Sequence, residues 1–316
     1  MVPGFYARHF LFIMENMNEC RLCPRDCKVN RTNLKGICQV SDKLKIARIA
    51  LHYWEEPCIS GESGSGAVFF SGCNLHCVFC QNEEISHGKV GKEISVEELA
   101  RQFVKLQKQG ANNINLVTGT HYIPQIVQAV KLAKAGLEDG SRLEIPVIYN
   151  TSGYEKVESL KHLKGIVDVY LPDFKYMDEA LAGNYSHASD YPEVAKAAIA
   201  EMVRQCPSVE FDEQGFVKSG VIVRQLLLPG HVKDAKAIIK YLFDNYHDSI
   251  FISMMSQYTP MPHIASKYPE LNRRVTKREY DSLINYALDL GVENAFIQDR
   301  KVAKESFIPE FSNEWD

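Results

Sequence analysis

Between residues 61 and 300 the chain alternates apolar runs of strand length with stretches whose apolar side chains recur every three to four positions. The strand-length runs are Ala67 to Ser71, Asn113 to Val117, Ile145 to Asn150, Ile166 to Leu171, Val221 to Leu228, Ile250 to Met254 and Asn294 to Ile297. Helical periodicity falls at 123–135, 154–163, 192–205, 232–246 and 277–290, the last with Thr276 and Glu279 at capping-box spacing and Gly291 after it. The clearest helix opens at Ser95 with Glu98 at the same spacing, puts Val96, Leu99, Phe103 and Leu106 on one face and stops at Gly110. Such alternation with short connections predicts right-handed β-α-β units, hence an α/β fold with a parallel sheet. Six or seven units are too few for a closed eight-fold barrel and enough for a partial one. Residues 1–60 lack the alternation and read as a small N-terminal cysteine-rich segment. Residues 301–316, with Phe307, Phe311 and Trp315 among acids, read as a tail.

A chain of 316 residues accommodates one large α/β domain with a small appendage. Lys plus Arg number 36 against 40 Asp plus Glu, a formal charge of -4 with no concentrated basic run, which argues against nucleic acid as a partner. No stretch approaches the roughly 20 apolar residues of a membrane span. The run Phe10-Leu11-Phe12-Ile13-Met14 is too short for a secretion signal. The expected location is therefore the cytoplasm, with no membrane partner. There, nine cysteines are better read as metal ligands than as disulfides, all but Cys206 falling before residue 81.

Cys73, Cys77 and Cys80 follow the spacing C-x3-C-x2-C on one short loop. Three thiolates this close can hold three irons of a four-iron cluster and leave the fourth iron open. A zinc site with His76 as fourth ligand is the alternative. The loop resembles the signature of the radical S-adenosylmethionine (SAM) superfamily, including the aromatic Phe79 before the third cysteine. That resemblance implies a [4Fe-4S] cluster whose open iron is chelated by SAM, and one-electron cleavage of the sulfonium to a 5'-deoxyadenosyl radical. It also implies an open (β/α)6 barrel with the cluster at its mouth. A parallel barrel carries its site at the C-terminal ends of its strands, which directs attention to the residues there.

The second run leads into Thr118-Gly119-Thr120-His121, where relatives carry a Gly-Gly-Glu stretch that holds the SAM amine. The acid is absent here, leaving Gly119 and Thr120 as candidate contacts, and His121 as a substrate contact or helix cap. The third ends Asn150-Thr151-Ser152, where the resemblance puts ribose and carboxylate contacts; Asn150 and Ser152 are either SAM ligands or helix caps. The fourth ends in Asp173-Phe174-Lys175, which looks like the Asp-x-Lys element of activating enzymes for glycyl-radical proteins. Asp173 and Lys175 then bracket SAM, or form a rim salt bridge. Arg224 lies inside an apolar strand and needs a partner, which the family pattern supplies in the SAM carboxylate. His231 follows a Pro-Gly turn and opens a helix. Gln257 and Tyr258 are candidates for adenine or substrate contact, and Met254 and Met255 read as packing. No further catalytic residue is assigned.

Cys20, Cys23, Cys27 and Cys38 give C-x2-C-x3-C-x10-C, a candidate second site for structural zinc or an auxiliary iron-sulfur cluster, with no metal as the remaining alternative. Cys58 could replace one of these ligands or act on substrate; Cys206 reads as a small buried hydrophobe. Together, Cys-x-Leu-Cys-Pro-Arg, Trp-Glu-Glu-Pro-Cys-Ile-Ser-Gly, the cluster loop and Asn-Thr-Ser-Gly-Tyr resemble radical SAM proteins related to pyruvate formate-lyase activating enzyme, over about residues 18–300. The resemblance implies hydrogen abstraction, from a glycine of a glycyl-radical enzyme or from another protein, peptide or small molecule, with flavodoxin or ferredoxin as electron donor. The alternative of a different class is a metal-stabilised binding or electron-transfer module.

Overall fold

The computed structural model describes residues 18–298; the Phe10–Met14 run and the 301–316 tail lie outside the described residues. In chain order the elements are β1 (Lys45–His52), α1 (Pro57–Ser60), β2 (Ser65–Phe70), α2 (Glu83–Ser86), β3 (Lys92–Glu93) and α3 (Val96–Lys108). They continue with β4 (Ile114–Val117), α4 (Ile123–Ala135), β5 (Val147–Thr151), α5 (Val157–Leu160), β6 (Val169–Pro172), α6 (Glu179–Ser186) and α7 (Tyr191–Gln205). The last are β7 (Glu210–Phe211), β8 (Val217–Leu226), α8 (Val232–Tyr246), β9 (Phe251–Met255), α9 (Lys277–Leu290) and β10 (Ala295–Ile297).

The sheet has ten strands in the order β10-β9-β8-β6-β5-β4-β2-β1-β3, with β7 paired to β8 off that path. From β2 to β10 the neighbours along the path run parallel, as helical crossovers require. Among the described residues its two ends, β10 and β3, do not pair with each other, so the barrel is partial.

Strand parity divides the interior. Val147, Tyr149, Tyr170, Val221 and Val223 face the helices and join the main core. Ile148, Val169, Leu171 and Ile222 face inward, where they pack on Cys58 and Ile59 of α1. That short helix fills the bottom of the barrel. Pro57 supplies its preset first turn, while Asn112 and Asn113 donate from Nδ2 to the terminal carbonyls of Ser60 at 2.6 Å and Ile59 at 2.8 Å.

Several expectations are corrected. Residues 45–52, inside the segment expected to stand apart, form β1 and pair antiparallel with β2. Ser95 accepts from the Glu98 amide, but the Glu98 carboxylate turns to Arg101 and Gln102, so only half a capping box forms there; the Thr276–Glu279 box is complete. The helix expected from Tyr154 begins at Val157, because Gly153 sits at φ +76° and Tyr154 and Glu155 are buried as tertiary contacts. Helix α6, capped by Asp178 accepting from the Ala180 and Leu181 amides, was not among the expected elements.

Candidate active site

The loop after β2 turns at Gly72, whose φ of +90° brings it so close to the Cys38 carbonyl that an added Cβ would lie 2.5 Å from that oxygen. Cys73, Cys77, Cys80 and Phe79 then line a cavity of about 280 Å³ over the strand ends, together with Asn150, Ser152, Asp173, Lys175 and Arg224. Phe79 is held edge-on by Tyr176, Tyr185 and Tyr258. Among the described residues the cavity wall contains three cysteines and no fourth.

Beneath the loop lies a charged layer. Arg224 Nε meets Asp173 Oδ1 at 2.9 Å, NH1 meets Glu55 Oε2 at 3.1 Å, and NH2 donates to Asn150 Oδ1 at 2.6 Å. Lys175 Nζ reaches Asp173 Oδ2 at 2.6 Å. Burial alone would raise the Asp173 pKa; Lys175 and Arg224 reverse this and hold it below the usual carboxylate range. Burial opposes the charge of Lys175, and Asp173 followed by Cys77 keeps its pKa raised. Asp173 therefore stays a carboxylate between two cations, Lys175 and Arg224, in the wall of a small cavity.

Two of the sulfurs already accept hydrogen bonds. The Leu75 amide donates to Cys73 Sγ at 3.4 Å and Ser186 Oγ to Cys77 Sγ at 2.9 Å. Burial, then the neighbouring Cys77 and Cys73, push the Cys80 thiol to about 12, so ligation must displace protons. Among the described residues no three His, Cys, Asp or Glu side chains converge on a single ion position. Cluster ligands cap separate corners of a cube. The three sulfurs, their amide and hydroxyl donors, and the buried Ser152 Oγ with no partner in the wall fit a cluster with a polar ligand beside it.

Most expected residues are brought together, and some are not. Asn150 and Ser152 cap no helix, since α5 has no side-chain cap, and both line the cavity. Asp173 and Lys175 form the expected ion pair within the cavity wall rather than merely on its rim. Arg224 lines the cavity and finds protein partners in Asp173, Glu55 and Asn150, one N–H from each nitrogen, which leaves NH1 and NH2 each a second N–H. Thr120 lies outside the cavity and donates to Glu155 Oε1 at 2.6 Å, while an added Cβ at Gly119 would strike Ile126. Thr118, at φ +60°, swings the chain away there and lines the wall itself.

His121 is buried; burial and then Arg31 push its pKa to about 3, and its neutral Nε2 donates to the Ser71 carbonyl at 2.8 Å. It neither lines the cavity nor caps a helix by its side chain. His76 is absent from the wall, and its Nε2 donates to the Ile37 carbonyl at 2.9 Å. Gln257, Tyr258 and Met255 line the wall, so Met255 is more than packing; Met254 is core. Cys58 sits in the apolar floor, away from the N-terminal cysteines, and Cys206 is buried. His231 stands at the start of α8 and its Nε2 meets Tyr185 Oη at 3.0 Å. Sequence reasoning missed Glu55, Asn115 and Ser186. Asn115 is a polar residue at an inward position of β4 and donates to Glu55 at 3.0 Å, a parity that could have been read.

The sequence model of the radical SAM superfamily matches residues 67–242. An uncharacterised protein of Methanocaldococcus jannaschii is 30% identical over 284 residues, 86% of this chain and 76% of that protein. A pyruvate formate-lyase-activating enzyme of Clostridium pasteurianum is 28% identical over 124 residues, 38% of this chain and 50% of the enzyme. Among solved structures, a domain of a pyruvate formate-lyase-activating enzyme from Bacteroides vulgatus aligns with TM-score 0.38 and 15% identity, over 56% of this chain and 93% of that domain.

Proposed function

We propose a function from one premise: this chain belongs to the radical SAM superfamily. When bound, the [4Fe-4S] cluster and SAM of that family supply reductive cleavage of the sulfonium and a 5'-deoxyadenosyl radical. The chain's own part is to hold three irons through Cys73, Cys77 and Cys80 and to keep water from the cavity with Phe79 and its tyrosine neighbours. The observation that carries this reading is a three-cysteine wall directly above a buried ionised layer.

Within that layer, Asp173 and Lys175 meet the ammonium and carboxylate of a zwitterionic ligand, and Asn150 and Ser152 supply neutral hydrogen bonds. Arg224 acts by holding Asp173 and Asn150 in place. The substrate we propose is a glycine of a glycyl-radical enzyme, supported by the partial similarity to an activating enzyme; another protein or peptide is the next reading. Flavodoxin or ferredoxin is the proposed donor and the cytoplasm the proposed location. No helix among the described residues is long and apolar enough to cross a membrane. The four N-terminal cysteines are read as a second site for zinc or an auxiliary cluster.

The test is anaerobic reconstitution followed by reduction. Methionine and 5'-deoxyadenosine should form from SAM, and Cys77→Ala should abolish both. An intact four-iron cluster without that turnover would sink the reading. Substrate is then tested by electron paramagnetic resonance of a candidate glycyl-radical enzyme after incubation.

A further inference from the structure

Where β5 and β6 diverge at the cavity, a side chain takes over from the backbone ladder. Asp173 N donates to the Thr151 carbonyl at 2.9 Å and Phe174 N to the Arg224 carbonyl at 2.8 Å, so the chain leaving β6 still alternates between its two neighbours. One more rung would take the Lys175 amide to the Gly153 carbonyl. That carbonyl accepts from the Glu155 amide at 3.0 Å instead, because Gly153 turns the chain at φ +76°. The Lys175 amide donates to Tyr191 Oη, at 2.9 Å.

Tyr191 Oη also lies 2.9 Å from the Ser152 carbonyl and 2.9 Å from the Asp173 carbonyl, and its single proton serves both. One oxygen thus spans the two strand ends. Gly153 permits the approach, since a Cβ there would strike the Asp173 carbonyl and stand 3.1 Å from Tyr191 Oη. The ring that carries this hydroxyl is fixed. Tyr191 is the first residue of α7 and is fully buried, stacked on Tyr154 with 17° between the planes and set edge-on to Tyr176 at 5.4 Å.

We propose that Tyr191 is a positioning residue for SAM, whose hydroxyl sets the spacing between Ser152 on one strand end and Asp173 with Lys175 on the other. This rests on reading those three as contacts of SAM. Ser152, Asp173 and Lys175 line the cavity, and Tyr191 stands behind them. A binding constellation must be held to about 0.5 Å, and here the ladder that would hold it has ended. Without the hydroxyl, one amide and two carbonyls beside a buried ring lose this partner, and the strand ends must shift to satisfy them. The displacement falls on the gap between the two sets of contacts, leaving the cysteine loop in place.

The experiment compares Tyr191→Phe with Tyr154→Phe in anaerobically reconstituted protein of matched iron and sulfide content. Both variants keep a ring of the same stack and lose its hydroxyl. Tyr154 Oη donates to Asp190 at 2.8 Å, outside the cavity wall, so its variant carries a comparable cost in stability without touching the contacts. In Tyr191→Phe the dissociation constant for SAM, measured by equilibrium dialysis, should rise about tenfold, and KM for SAM with it, while kcat changes by less than about threefold. Tyr154→Phe should bind SAM within about twofold of wild type. An unchanged dissociation constant in Tyr191→Phe, or an equal rise in both variants, would overturn the positioning role and leave the SAM reading standing. Wild-type protein with a complete four-iron cluster that binds no SAM would sink that reading, and the positioning role with it. Hydrogen exchange on the wild type gives a check that needs no variant. The Lys175 amide should exchange as slowly as the amides of β6, and rapid exchange there would overturn the role of the hydroxyl.

Discussion

Lys175 Nζ lies 2.6 Å from Asp173 Oδ2, two residues back along the same strand end, while the other oxygen of that carboxylate takes Arg224 Nε at 2.9 Å. One buried acid therefore serves two cations, and both cations face the cysteine loop.

Replacing Asp173 by Asn takes from Lys175 its carboxylate partner and leaves Arg224 paired with Glu55. Removing one partner of a buried pair costs about 3–5 kcal/mol. We expect Asp173→Asn to destabilise the protein on that order and to lower SAM cleavage by about 100-fold or more, measured by urea unfolding and by 5'-deoxyadenosine release. The Asp173 pKa is depressed in the folded state, so its contribution is full above the unfolded carboxylate range and is lost as pH falls through the folded value. Wild-type stability should decline toward acid more steeply than that of the Asn variant.

Ser186 Oγ donates to Cys77 Sγ at 2.9 Å and is itself paired with Tyr176 Oη at 2.7 Å. A hydrogen bond to a ligating sulfur favours the more negative, reduced state of a cluster. Ser186→Ala should shift the potential negative by tens of millivolts, since a bond worth about 1 kcal/mol corresponds to roughly 40 mV for one electron. A redox titration followed by electron paramagnetic resonance decides it. Tyr176→Phe should move the potential less, because the serine bond remains.

The sheet and most of its helices were legible because period and length alone separate buried strands from amphipathic helices. Helices α4, α8 and α9 begin and end where the pattern predicts. The cysteine loop was legible because its ligands are local, and Asp173, Lys175, Asn150 and Arg224 because strand ends converge in a parallel barrel. Distant pairing hid the rest. Nothing near Glu55 in the sequence announces Arg224, and a strand such as β1 that joins by antiparallel pairing breaks the alternation that marks the others. Thr120 misled because one left-handed residue, Thr118, reverses which side chain faces the cavity.

Glu155 is fully enclosed, with Oε1 accepting from Thr120, Thr151 and Tyr149 and Oε2 without a partner. Burial raises its pKa to about 7, against the lowering effect of Thr120, Thr151 and Tyr149. The folded protein thus binds a proton that the unfolded chain has released, from the ordinary glutamate range up to about 7. Across that window this group makes stability fall as pH rises, by roughly 3 kcal/mol. Glu155→Gln should flatten the fall, and denaturant midpoints of both proteins between pH 5 and 8 test it. Parallel curves would show that the carboxyl does not titrate there.

Arg25 spans two parts of the chain that must keep station around the sulfurs. Nε donates to the Asn74 carbonyl at 2.7 Å, NH2 donates to Leu75 at 3.4 Å and to Ser186 at 2.9 Å, and NH1 donates to the His187 carbonyl. The guanidinium also lies 5.2 Å from the centre of the Tyr154 ring. A planar fork can satisfy carbonyls in several directions at once, and an ammonium on a flexible stem cannot. Arg25→Lys should therefore behave like Arg25→Met, loosening the loop that carries Cys73 and Cys77 and lowering cluster iron several-fold after mild exposure to oxygen. Iron content and the visible absorbance of the cluster over time are the measurements. A lysine variant that kept its iron as long as the wild type would show that positive charge alone, rather than the shape of the fork, secures the loop.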